Sequence, residues 1–174
     1  VLDRGPAAAI FTCCLETDIA SGASFLHVRP QCSTLERLSA PSMFLRLGKQ
    51  FRFKSFTLTF NGALTRNDAI IEFTGDDAFA TVSGASAGDG AYHHDDTVFI
   101  THNALSCESR QVFKKVLRNG ATGVFQGKIL VYSHAQKTDG YQIAQGLMLD
   151  DDCTFLAKPE LEIYADDVIC SHGS

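Results

Sequence analysis

Two donor side chains near the end of the sequence, Cys170 and His172, stand two residues apart. On an extended strand successive side chains alternate faces, so these two share one, about 6.5 Å apart. Thiolate and imidazole are both ligands for iron, zinc and copper. Two ligands leave a four-coordinate site half filled, so the others must come from elsewhere, such as another chain. The same pair also fits a buried cysteine beside a surface histidine, and the pattern alone favours that plainer reading. A second group is His93-His94-Asp95-Asp96, with His102 following. Extended, His93 and Asp95 share one face and His94, Asp96 and His102 the other. Metal or acid–base chemistry is one reading of that run; a polar turn leading into Val98–Ile100 is the expected one.

The remaining cysteines offer less. Cys13 and Cys14 are adjacent, so on a strand they face opposite ways and cannot jointly hold one ion. Cys32, Cys107 and Cys153 have no Cys or His at useful spacing and read as small packing residues. HExxH does not occur in the sequence. The stretch GASAGDG at 84–90 lacks the lysine and following helix of a phosphate loop and reads as a flexible surface loop.

These groups are carried on short β-type segments at 50–60, 68–73, 79–82, 97–101, 123–131, 141–149 and 161–169. Turns such as Asn61-Gly62, Gly75-Asp76-Asp77, Asn119-Gly120, Asp139-Gly140 and Asp150-Asp151-Asp152 punctuate them about every ten residues, which suits a sandwich, a barrel or a β-helix. Strands rich in Phe, Ile, Val and Leu with small residues at their ends favour the β-helix, although no strict repeat length shows. Segment 109–117 (SRQVFKKVL) could start a short helix from Ser109, but the alternation of Val112, Lys114 and Val116 suits a strand, and the strand is preferred. Read as one strand, 161–172 (LEIYADDVICSH) sets Leu161, Ile163, Ala165 and Ile169 on an inner face. Glu162, Tyr164, Asp166, Cys170 and His172 then lie on an outer one, with Glu162 and Asp166 as supporting groups.

Composition narrows the function class. The formal charge is −5 and the basic residues are scattered, which argues against a nucleic-acid binder. Lys114, Lys115 and Arg118 are the closest basic group and read as a solvated face. No apolar run approaches the roughly 20 residues that span a bilayer, and Asp3 and Arg4 ahead of a short apolar stretch do not make a signal peptide. Six cysteines without a CxxC pair suit free thiols in a reducing compartment better than a disulfide scaffold. The 174 residues make one domain, and the abrupt ends suggest part of a longer protein.

From Cys107 onward the sequence resembles the SufB/SufD family of iron–sulfur cluster assembly scaffold proteins, and within it the SufD type. GVFQGKILV (123–131), AQKTDGYQ (135–142), LMLDDD (147–152) and above all KPELEIYADDVICSHG (158–173) carry the likeness. FKSFTLTFNGALTRND (53–68) and the region from His102 to Ser109 match more loosely. The resemblance implies an all-β, right-handed parallel β-helix spanning 1–174, without the flanking helical regions of the family. It implies a non-catalytic subunit that works with SufB and the ATPase SufC, in the bacterial cytoplasm or a plastid. A nascent iron–sulfur cluster would form transiently at the SufB interface, and the isolated fragment would hold no cofactor. His172, in the CSHG motif, would serve assembly there, with Cys170 beside it as a ligand pair that the partner completes. SufC would dock through a region outside this sequence. Cys153 stands where relatives usually carry another residue, and Ser174 where they continue Ala-Thr-x-Gly.

Two rival classes remain on sequence grounds. One is a β-helical carbohydrate-active enzyme using Glu162, Asp166 and Asp167, disfavoured by the absence of Trp and by only four Tyr. The other is a purely structural solenoid whose open ends pair it with a second copy, a homodimer being expected of the isolated fragment in either case.

Overall fold

The computed structural model describes residues 9–32 and 36–173, and the expectations that fall on Asp3, Arg4 and Ser174 lie outside them. Twelve strands follow one another: β1 (Ile10–Ile19), β2 (Ser24–Cys32), β3 (Leu38–Leu47), β4 (Arg52–Phe60), β5 (Leu64–Phe73), β6 (Phe79–Asp89), β7 (His93–His102), β8 (Glu108–Arg118), β9 (Thr122–Val131), β10 (Asp139–Met148), β11 (Thr154–Ile163) and β12 (Ile169–Gly173). Odd strands form one six-stranded sheet and even strands another. Every pairing is parallel. The chain is therefore a parallel β-helix of about 6 coils, in the right-handed sense that parallel crossovers take. No helix occurs among the described residues, and none is long and apolar enough to cross a membrane.

Backbone hydrogen bonds run from coil to coil even through the corners. Gln50, Asp77, Ser106 and Lys137 take positive φ at one corner, each donating its N–H to the next coil: to the carbonyls of Asp76, Leu105, Gln136 and Asp167, at 2.8, 3.0, 2.9 and 2.6 Å. A corner that bonds to its neighbour leaves few orphaned backbone groups, which is what lets rungs of slightly different length stack. The rung offset is 28 residues from His27 to Ser55, then 27, 29, 31 and finally 30 from Gln142 to His172. That drift hides the repeat from a search for a fixed period.

The lumen between the sheets is the core. Leu45, Leu47, Phe53, Ile71, Phe73, Val98, Ile100 and Phe113 fill its middle, and Ile129, Val131, Ala135 and Ala165 close the end nearest β12. Three expectations need correction. All of the 84–90 stretch but Gly90 is the second half of β6, with Gly84, Ser86 and Gly88 facing the lumen, rather than a loop. Asp139-Gly140 opens β10 and is not a turn. Segment 161–169 is not one strand: β11 ends at Ile163, a corner follows around the buried Ala165, and β12 begins at Ile169 on the opposite sheet.

The break inverts the alternation. In β11 the odd residues face inward, Leu161 over Ile129 and Ile163 over Val131. In β12 the even ones do, Cys170 over Gly140 and His172 over Gln142, while Ile169 is 72% exposed. A corner between facing sheets turns the chain over, so parity cannot be carried through it. The first three strands also escaped the sequence reading. In β2 the inward residues are His27, Arg29 and Gln31, all buried, while Leu26 and Val28 face out, the reverse of the usual pattern.

Candidate functional site

Cys170 and His172 do share a face, on β12, the edge strand of the even sheet, and that face is the lumen side of the last coil. Cys170 is half-buried and packs beside Ile129, Val131 and Ala165. Its thiol pKa is pushed up, chiefly by burial, with the Gly140 N–H pulling the other way, so the sulfur stands protonated at neutral pH. His172 is exposed, because no described residue stacks on its coil from beyond.

The two supporting carboxylates lie elsewhere. Glu162 points outward from the odd sheet, where Lys128 Nζ reaches it at 2.5 Å and the Tyr164 hydroxyl donates to it at 2.6 Å. The Lys128 ammonium holds its carboxyl below the usual range. Asp166 is exposed on the corner after β11, where its neighbour Asp167 donates its N–H to Gln136 Oε1 at 2.9 Å. β12 thus brings Cys170 and His172 together, without Glu162 or Asp166.

The HHDD run makes a different structure from the polar turn expected of it. It begins β7, with His94 and Asp96 turned into the lumen, 2% and 3% exposed. Lys115 from β8, expected on a solvated face, is also buried there and donates to Asp96 Oδ2 at 2.6 Å and to His94 Nδ1 at 2.7 Å. Asn67 Nδ2 from β5 donates to Asp96 Oδ1 at 2.9 Å and lies 3.1 Å from His94 Nε2. Burial lowers the His94 pKa to about 4, the nearby Asp96 carboxylate opposing the shift, and the ring is neutral. Deeper along β7, His102 Nε2 pairs with Ser109 Oγ at 2.9 Å, and burial drops its pKa to about 3.

The cavity touching Asp96 and Asn67 measures about 20 Å³. That is room for one water, far below the several hundred Å³ of a substrate site. The cluster ties sheets together and has no access for chemistry. The signal for it was present: on a strand, Lys115 shares its face with Phe113 and Leu117. Among the described residues one group of three donors lies within 4.8 Å, Asp150, Asp152 and Cys153 on the corner before β11, and Asp150 already serves that corner by accepting the Asn119 N–H at 2.8 Å.

The family model described as SUF system FeS cluster assembly, SufBD core domain, matches residues 4–174. The Escherichia coli iron-sulfur cluster assembly protein SufD is 32% identical over 120 residues, 69% of this chain and 28% of that protein. An iron-sulfur cluster assembly SufBD family protein of Synechocystis is 27% identical over 172 residues, 91% of this chain and 35% of its own length. The chloroplastic protein ABCI7 of Arabidopsis thaliana is 25% identical over 163 residues, 92% of this chain and 34% of its own. The chain spans about a third of the length of the curated relatives it matches.

Proposed function

Because the chain belongs to the SufBD core domain family of the SUF iron–sulfur cluster assembly system, we propose that it is a non-catalytic scaffold subunit whose last coil helps build nascent clusters at an interface with SufB. The observation that carries this reading is the pairing of Cys170 with His172 on one face of an edge strand. An edge strand offers unpaired backbone groups to another chain, and a partner seated on β11 and β12 brings further ligands to a pair that is two short. The cluster is then cargo, assembled and passed on.

SufC would supply ATP hydrolysis from a site outside the described coils, and the setting would be the bacterial cytoplasm or the plastid, in keeping with the relatives found. The described coils present edge strands to another chain and would pair with a second copy, and alone they would hold neither iron nor zinc tightly. The carbohydrate-enzyme reading gains nothing from the geometry, since Glu162 is engaged by Lys128 and Tyr164.

Anaerobic reconstitution of the full-length protein with its SufB partner, read by visible absorption, tests the proposal. His172→Ala is expected to slow cluster formation; formation at the unaltered rate would remove His172 from the site.

A further inference from the structure

Cys170 stacks on Gly140, its register partner on β10. A methyl group placed on Gly140 would lie 3.2 Å from Cys170 Sγ and 3.3 Å from Ile129 Cδ1, so the sulfur occupies the hollow left by the missing side chain. Beyond Phe53 the lumen column leading to it holds only small residues, Ala80, Ser109 and then Gly140. Gly140 is not among the glycines with positive φ, so the position draws on the absence of a side chain rather than on backbone freedom. Ile129 is fully buried and locked in the core, whereas Cys170 is only half-buried on the last described coil. Of the two neighbours, the sulfur is the one that can yield.

We propose that Gly140 is the positioning residue for Cys170: its bare Cα seats the thiol against the lumen wall and so fixes where the sulfur stands relative to the His172 ring on the same strand. This rests on the reading of Cys170 and His172 as the assembly pair. Gly140 touches neither partner nor cluster and acts only through the sulfur. Any side chain there moves the thiol off its seat, while the rest of the coil keeps its register.

The test uses the full-length protein. Gly140→Ala is expected to speed alkylation of Cys170 by iodoacetamide at fixed pH by about threefold or more, followed by mass spectrometry of its peptide, since a thiol moved off its buried seat is both easier to reach and easier to ionise. It is also expected to lower the melting temperature more when Cys170 is present than in a Cys170→Ala background, because the sulfur, at 3.2 Å, is the atom nearest the new methyl, ahead of Ile129 Cδ1 at 3.3 Å. Unchanged alkylation, or an equal melting loss in both backgrounds, overturns the proposal. Cluster formation with SufB is read separately. Normal formation in Gly140→Ala despite a displaced thiol would defeat the role given to Cys170 in assembly, while leaving the seat itself established.

Discussion

Lys115 Nζ stands 2.6 Å from Asp96 Oδ2 in the lumen, and the two side chains are 1% and 5% exposed. Together with His94 and Asn67 they join β5, β7 and β8, so one polar knot ties two successive coils together across both sheets.

Removing half of that pair leaves a charge stranded in the core. Lys115→Met, which keeps the volume of the stem, is expected to cost about 3–5 kcal/mol in urea unfolding. Adding Asp96→Asn should recover most of the loss, because no ion is then buried alone and Asn67 keeps a partner. A single variant within about 0.5 kcal/mol of the parent, the usual range for surface changes, would show that the pair does not lock the rungs.

The buried histidines set an acid limit. His27 and His94 have pKa values lowered to about 4, and His102 to about 3, with burial the largest cause in each case. Unfolded, each would titrate near 6.5. Between pH 6.5 and about 4 the unfolded chain binds more protons than the folded one, so stability is full above pH 6.5 and falls as pH drops through that window. Melting temperatures at pH 7, 6 and 5 are expected to decline. His102→Gln, which keeps a donor for Ser109 Oγ without the titration, should flatten the decline; an equal slope would mean that His102 is not among the groups responsible.

How much of this was legible depended on what the lumen holds. Where β4 and β9 bury Phe53, Phe125, Ile129 and Val131, the period of two is plain and the strands could be read. Where the lumen takes polar groups, as with His27, Arg29 and Gln31 in β2 or His94 and Asp96 in β7, the same alternation persists with its polarity reversed and reads as a turn or surface. The second half of β6 was lost for another reason: Gly84 and Gly88 are bare because Phe113 and Tyr92 fill the space, and smallness looks like flexibility. The Cys170–His172 pair needed only i, i+2 spacing and was legible. Its direction was not, because the corner around Ala165 reverses parity.

The β6 reassignment has a direct check. A methyl group on Gly84 would meet Phe113 Cε1 at 2.6 Å, and Phe113 is held against Phe125 with ring centroids 4.9 Å apart. Gly84→Ala should therefore destabilise by about 1–3 kcal/mol through overpacking. A flexible loop would give the opposite sign, a gain of about 0.4–1 kcal/mol from the stiffer unfolded chain. Chemical denaturation decides between them.

β12 provides the last comparison, between two exposed side chains of unequal consequence. Ile169 is 72% exposed and in register with Asp139 rather than with the core, so Ile169→Ala is expected to change stability by no more than about 0.5 kcal/mol. His172→Ala should be equally mild in a thermal melt, since the ring is exposed and its removal opens no cavity. The two part company in assembly. Losing the imidazole deletes either a cluster ligand or the group that orients one, and even the latter typically costs about 10–100-fold in metal affinity. Loss of Ile169 leaves the donor set whole. Complementation with each full-length variant, set beside its melting curve, separates the cases. An early melt for His172→Ala would mean that it acts in packing, and equal complementation by both variants would show that this strand contributes shape and no ligand.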